Sequence, residues 1–209
     1  MIRTERGRIV IISSPSGGGK TSICRKVLTP TRRRSGWTFS VSYTTRNKRP
    51  GEKNGREYHF VEQPEFVRLV RKGFFAEHFH VHQYNYGTPR QPLEQVQQKG
   101  GTIILDVDIQ GAFKLRQEYP DAIMIFVLPP SIAVLRKRLK RRGTETPDQR
   151  RIRFECARQE MLAFDQFDYV VVNQKLEVAA HQVLSIIEAH PCRLDRVNME
   201  QIRTYIGLA

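Results

Sequence analysis

The stretch Ser13-Ser14-Pro15-Ser16-Gly17-Gly18-Gly19-Lys20-Thr21 follows the apolar run Ile9-Val10-Ile11-Ile12 and precedes a segment with helical spacing. Consecutive glycines let the backbone curl so that successive N–H groups converge on one anion, a shape that side chains would obstruct. Lys20 adds a cation, the Thr21 hydroxyl is a ligand for Mg²⁺, and the helix that starts there presents its positive end. This is a phosphate-binding loop of the form Gly, four residues, Gly-Lys-Ser/Thr, with Ser14 standing where the opening glycine would be. The expected chemistry is capture of a nucleotide's phosphates by Ser16, Gly17, Gly18, Gly19, Lys20 and Thr21.

Such a loop needs a buried strand before it and a helix after it. Ile9–Ile12 supplies the strand, and Ile23, Cys24, Val27 and Leu28 mark a helix ending near Thr29-Pro30. Arg32-Arg33-Arg34 reads as a solvated turn. Three further apolar runs have the character of buried parallel strands: Gly101–Leu105 ending at Asp106, Ile123–Leu128 ending at Pro129-Pro130, and Val170–Val172 ending at Asn173. Val134, Leu135 and Leu139 mark one helix, and residues 176–187 a closing one. Strands alternating with helices predict a parallel sheet whose ligands lie at the strands' carboxyl ends, where Ser13, Asp106 and Asn173 fall.

Residues 40 to about 90 break this rhythm. The basic, Pro- and Gly-punctuated stretch 44–52, short strands at 58–61 and 74–81, and a helix carrying Phe66, Leu69 and Val70 predict a small inserted lobe. His78, His80 and His82 share one face of such a strand, and a half-exposed face fits them better than a metal site. Glu77, taken alone, reads as a solvated strand residue. Residues 192–209 fit either a short helix or a mobile tail.

The chain has 209 residues, 35 basic and 21 acidic, for a formal charge of +14, which favours anionic partners. Its length suits one α/β domain. Cys24, Cys156 and Cys192 are unpaired in spacing and read as reduced thiols. No stretch is long enough to span a membrane, and no signal-peptide core precedes the loop, so a soluble, cytoplasmic protein with no membrane partner is expected.

The order of motifs resembles guanylate kinase. The resemblance rests on Ser14–Thr21, the stretch Val41-Ser42-Tyr43-Thr44-Thr45-Arg46-Asn47-Lys48-Arg49-Pro50-Gly51-Glu52, Gly55-Arg56-Glu57-Tyr58, Leu105–Gly111 and Arg142–Thr146, spanning about residues 8–190. It implies a P-loop three-layer α/β sandwich with a central parallel sheet, an inserted GMP-binding lobe and a small lid. As one domain over 1–209, this places the core at about 8–39, 91–136 and 161–190, the lobe at 40–90, the lid at 137–160 and a tail at 191–209. The implied activity is Mg²⁺-dependent transfer of the ATP γ-phosphoryl group to GMP, and to dGMP, as part of purine nucleotide metabolism.

By the same resemblance, Ser42, Arg46, Arg49 and Tyr58 hold the GMP phosphate. Glu77 selects guanine by accepting from N1–H and the exocyclic amine, with Ser42, Thr88 and Asp106 nearby, and Tyr86 also matches the GMP site. The family usually has Asn-Tyr-Tyr-Gly where this chain has Tyr84-Asn85-Tyr86-Gly87. Residues 136–153 carry nine basic groups against two acidic ones, half of the net charge. Among them Arg138, Arg142 and Arg153 are expected to reach the ATP phosphates and, with Lys20, to be catalytic. Asn173 joins the ATP side. Thr21 would ligate Mg²⁺, with Asp106 or Asp108 ordering its waters.

Three alternatives compete with an enzyme of this kind: a non-catalytic scaffold module of the same shape, a nucleic-acid binder, and a P-loop kinase for another acceptor. The intact Gly19-Lys20-Thr21 and lid arginines oppose the first. The lack of aromatic residues interleaved with basic ones opposes the second, so no specific nucleic acid is expected. The sequence leaves room for a homo-oligomer.

Overall fold

Strand β1 (Arg8–Ser13) alternates its side chains between two helical layers, which is why all four of its central residues are apolar. Val10 and Ile12 pack with Ile23 and Val27 of α1 (Lys20–Val27) and with Val183 and Ile187 of α8, described below. Ile9 and Ile11 face the opposite way, onto Leu93 of α4 (Arg90–Lys99) and Leu115 of α5 (Ile109–Glu118). The computed structural model describes residues 7–81, 83–140 and 147–207.

The central sheet is parallel throughout, in the order β2-β7-β1-β8-β9, with β2 at Trp37–Ser40, β7 at Thr102–Asp106, β8 at Ile123–Leu128 and β9 at Tyr169–Val172. Helix α8 (Leu176–Ala189) closes the α1 face. Register places Ile12 opposite Asp106 and Ser13 opposite Phe126, and Asn173 follows β9 directly. Ser13, Asp106 and Asn173 therefore share the carboxyl rim, as the strand pattern predicts. The three-layer α/β sandwich is the observed fold.

A second sheet, in the order β4-β3-β6-β5, is built from β3 (Tyr43–Thr44), β4 (His59–Phe60), β5 (Phe75–Val81) and β6 (Tyr84–Pro89). With α3 (Gln63–Arg71) it encloses its own apolar cluster of Phe66, Leu69 and Phe75. A third small cluster joins Leu135 and Leu139 of α6 (Ile132–Lys140) to Phe154 and Ala157 of α7 (Pro147–Met161).

Several local expectations change. Arg32–Arg34 lies in a short helix, α2 (Pro30–Arg34), because Thr29 caps it through Arg32 N and Pro30 preorganises its first turn. Arg32 is not merely solvated: its guanidinium donates to Val27 O and lies 5.9 Å from the Trp37 ring centroid. Residues 194–207 fold as a 3₁₀ turn and α9 (Met199–Tyr205), capped by Asn198. His78 and His80 are exposed, and His80 Nδ1 meets Asn85 Oδ1 at 3.1 Å; His82 lies outside the described residues. No metal-binding group of three or more His, Cys, Asp or Glu occurs among the described residues. No disulfide joins the three cysteines among the described residues, and Cys24 is buried in the α1 layer. No helix among the described residues is long and apolar enough to cross a membrane.

Leu105, fully buried between β7 and the α4–α5 layer, tests this packing. Leu105→Ala is expected to cost about 2–5 kcal/mol and lower Tm by roughly 5–15 °C. Val170→Ala on the half-exposed edge strand should leave Tm nearly unchanged, both read by thermal unfolding.

Candidate active site

The loop between β1 and α1 turns on positive-φ glycines at 17 and 19. A Cβ at Gly19 would sit 2.3 Å from Asn173 Nδ2, so only glycine fits there. Asn173 Nδ2 in turn donates to Gly18 O at 2.9 Å, and Arg138 bridges the same two residues, to Gly18 O at 3.2 Å and Asn173 O at 3.0 Å. Ser14 is buried, with its hydroxyl donating to Pro15 O, and it fills the space beside Gly18 that an opening glycine would leave.

Lys20 and Thr21 begin α1 directly beneath the rim of β7. Lys20 Nζ lies 3.2 Å from Asp106 Oδ1, and Thr21 Oγ1 donates to Asp106 Oδ2 at 2.5 Å. Burial by itself would lower the Lys20 ammonium, but Asp106 and Tyr58 outweigh it and push the group up to about 12. Lys20 is thus a permanent cation. Asp108 is committed elsewhere: it caps α5 through Gly111 N at 2.8 Å, and burial raises its carboxyl. Thr21 and Asp106 are hard oxygen donors within hydrogen-bond distance of each other, a set that suits Mg²⁺.

The helix pair α6–α7 closes over the loop. Arg153 holds Ser16 Oγ through Nε at 3.2 Å and Nη2 at 2.9 Å. Glu160 accepts the Ser16 backbone N–H at 2.9 Å, so a carboxylate sits on one of the loop's own N–H donors. Arg142 lies outside the described residues.

Across the cleft, the basic stretch is organised by a carboxylate. Pro50-Gly51 turns the chain, with Glu52 N donating to Arg49 O at 3.1 Å and Gly51 at φ +83°. That turn returns Glu52 to Arg46, whose Nη2 meets both carboxylate oxygens at 2.9 and 3.0 Å, and to Arg49 N at 2.8 Å. Arg46 is buried and also lies against the Tyr58 and Phe60 rings, at 5.5 and 5.6 Å. The Arg49 side chain is exposed, and Ser42 and Tyr86 are partly buried. Burial first, and then Asp106, push the Tyr58 phenol up to about 12, so it remains a proton donor.

Glu77 is buried, not solvated. Its Oε1 accepts from Thr88 Oγ1 at 2.6 Å across the β5–β6 pair, and its Oε2 is buried with no hydrogen-bond partner among the described residues. Burial raises this carboxyl to about 7, helped by Asp108 and opposed by the Thr88 hydroxyl. An orphaned buried acceptor of this kind is costly to keep and therefore discriminating toward donors. Asn85, displaced by one position from the family pattern, ties β6 to α3 through Gln63 Oε1 at 2.7 Å.

The structure thus gathers Ser16, Gly17, Gly18, Gly19, Lys20, Thr21, Asp106, Asn173, Arg138 and Arg153 around one loop. Arg46, Tyr58, Glu77, Tyr86 and Thr88 stand in the second sheet and its loop. Glu52 and Glu160 were given no role from sequence. The Pro50-Gly51 turn signals the first; nothing local signals the second, which reaches Ser16 across 144 positions.

The sequence matches the guanylate kinase family over residues 6–190. It is 40% identical to the guanylate kinase of Thermotoga maritima over 200 residues, 96% of this chain and 95% of that one. It is 41% identical to that of Symbiobacterium thermophilum over 206 residues, 99% and 96% of the two chains. The crystal structure of guanylate kinase from Anaplasma phagocytophilum superposes with a TM-score of 0.81 at 31% identity, covering both chains fully.

Glu77 provides a ligand-free test. Its folded pKa lies above its unfolded one, so the native state binds the extra proton between about 4.5 and 7. Relative to Glu77→Gln, stability should fall as pH rises through that window and level off above 7. Carboxyl-carbon NMR titration should give a Glu77 midpoint near 7.

Proposed function

This chain belongs to the guanylate kinase family and is a nucleoside monophosphate kinase that phosphorylates GMP from ATP; from that premise we propose which groups hold each substrate and how transfer proceeds. The observation that carries the assignment is the separation of two anion-binding constellations, one at the β1–α1 loop and one around Arg46 and Tyr58, on either side of Asp106. The first takes the donor and the second the acceptor.

ATP phosphates lie on the N–H groups of Ser16–Thr21, with Lys20 at the β- and γ-phosphates and Asn173 bracing the loop. Arg138 and Arg153 serve the transferring group from the α6–α7 lid, and the family resemblance assigns Arg142, outside the described residues, to the same task. In the second sheet and its loop, the acceptor lobe, Arg46, Arg49, Ser42 and Tyr58 receive the GMP phosphate. Arg46 keeps Glu52 on one nitrogen, which aims its guanidinium, and the neutral Tyr58 phenol adds a proton donor. The free Oε2 of Glu77 accepts from guanine N1–H and the exocyclic amine. Adenine offers no such pair, and Tyr86, Thr88 and Asp106 complete the pocket. dGMP carries the same base and the same phosphate as GMP, and we propose it as a second acceptor.

A phosphate oxygen of GMP forms the new bond to the γ-phosphorus while the bond to the β-bridging oxygen breaks, its electron pair leaving with ADP. The nucleophile is already an anion, so no residue need act as general base. Lys20 and the lid arginines stabilise charge on the equatorial oxygens, and closure of lid and lobe excludes water. The Thr21 hydroxyl would hold Mg²⁺, with Asp106 rather than Asp108 as its carboxylate neighbour because Asp108 caps α5, and the ion would supply neutralisation of phosphate charge. A cytoplasmic setting and no membrane partner fit this role.

With Mg-ATP and an acceptor panel, GMP and dGMP should react and AMP, UMP and CMP should not. Lys20→Ala should lower kcat by about 10²–10³-fold while GMP binding, measured calorimetrically, is retained. Glu77→Gln should reduce the preference for GMP over AMP by at least about 10²-fold. Retained selectivity would defeat the account of base choice. Glu160→Gln keeps an acceptor for Ser16 N–H and removes an anion from the donor site. Its KM for ATP is expected to drop about two- to fivefold, whereas a rise would mean the carboxylate supports the loop instead.

A further inference from the structure

Glu57 stands next to Tyr58 in the acceptor loop, yet its carboxylate is held by Arg25, Lys53 N and Arg56 and not by the groups of the cage. Its side chain is only 11% exposed, and three donors converge on it. Arg25 Nη2 reaches Oε1 at 2.8 Å, Arg56 Nε reaches the same oxygen at 2.6 Å, and Lys53 N donates to Oε2 at 2.7 Å. Arg56 holds the carboxyl below the usual range, followed by the Lys53 N–H and Arg25. Glu57 is therefore fixed as an anion within the loop, and Arg25 is the one of its three donors that comes from elsewhere.

Arg25 belongs to α1, whose first residues are Lys20 and Thr21. The contacts continue on the other side: Arg56 Nη2 donates to Gly51 O at 2.9 Å, in the turn that delivers Glu52 to Arg46. A continuous chain of charged hydrogen bonds thus runs from the donor helix through Arg25, Glu57 and Arg56 to the turn that aims the acceptor arginine. We propose that Glu57 and Arg25 are positioning residues that register the acceptor phosphate cage against the phosphate-binding loop, so that the two phosphates meet in line. This rests on the assignment of GMP to the second sheet and its loop.

A link of this kind, made when lobe and core are brought together, acts on acceptor binding and on transfer, and leaves donor affinity alone. Arg25 is two-thirds exposed, so the pair's worth is that of a partly solvated ion pair, about two- to fivefold in an equilibrium. Alignment errors are amplified in rate, because transfer needs the reacting atoms close and collinear.

Steady-state kinetics with both substrates varied will test this on Arg25→Ala, Arg25→Lys, Glu57→Gln and the Arg25→Ala/Glu57→Gln double variant. Arg25→Ala and Glu57→Gln should each raise KM for GMP about threefold and lower kcat, with KM for ATP and Tm unchanged. Arg25→Lys should recover most of the loss, and the double variant should be no worse than the poorer single one. Additive effects, equal changes in both KM values, or no change in either single variant would overturn the coupling. Tyr58→Phe separates this from the underlying assignment. If it leaves KM for GMP unaltered, the acceptor site is misplaced; if it raises that KM while Arg25→Ala does not, only the coupling fails.

Discussion

The contact of Asp106 with Lys20 and Thr21 joins the two halves of the site. It exists because β1 and β7 are parallel neighbours in a register that sets Ile12 beside Asp106, so the end of one strand meets the helix that follows the other. A cation as covered as Lys20 needs a partner, and removing one member of such a pair leaves the other uncompensated. Burial first, and this same carboxylate second, raise the Tyr58 phenol, so part of its electrostatic state is set by the strand that anchors the β1–α1 loop. Sheet register, more than any loop, decides where phosphate can be handled.

That dependence explains what could be read from the chain alone. The strands were legible because a parallel sheet buried on both faces demands unbroken apolar runs, as in Ile123–Leu128. The loop was legible because glycine and lysine spacing is a backbone requirement. Helices α4 and α5 were not: α4 offers only Leu93 and Val96 as buried residues, and α5 carries Gly111 in its first turn, where a Cβ would press on Phe79 at 2.7 Å. In α7 the apolar spacing of Phe154, Ala157 and Met161 is hidden by the surrounding charges.

The candidate site divides along the same line. Arg46 and Arg49 lie in one local motif, so the role proposed for them can be suggested by that stretch alone. Glu77 cannot be judged locally, since its burial comes from pairing with Thr88 on β6 and the approach of Asp108 near α5. Strand periodicity says only that residue 77 faces the same side as Phe75, which is itself core. Glu160 and Arg153 meet Ser16 only because α7 folds back on α6, an arrangement fixed by four apolar residues in a strongly basic segment.

Carboxylates run through the whole arrangement. Lys20 carries Asp106, Arg46 carries Glu52, Ser16 N–H carries Glu160 and Arg25 carries Glu57. A chain with a net charge of +14 thus sets three of its acids against groups of the proposed phosphate sites and a fourth against the helix that begins at one of them. The reason is energetic: clustered cations repel one another and would splay apart, whereas a fixed carboxylate holds a cation in one orientation, as Glu52 does for Arg46 together with the Asn47 carbonyl. On the proposed assignment, phosphate oxygens would meet donors already ordered, so the entropy of arranging long side chains is spent during folding and does not weigh against binding. The proposed selectivity rests on the one carboxylate treated differently: Glu77 has a hydroxyl on one oxygen and no hydrogen-bond partner among the described residues on the other, which leaves that oxygen for a donor on the substrate.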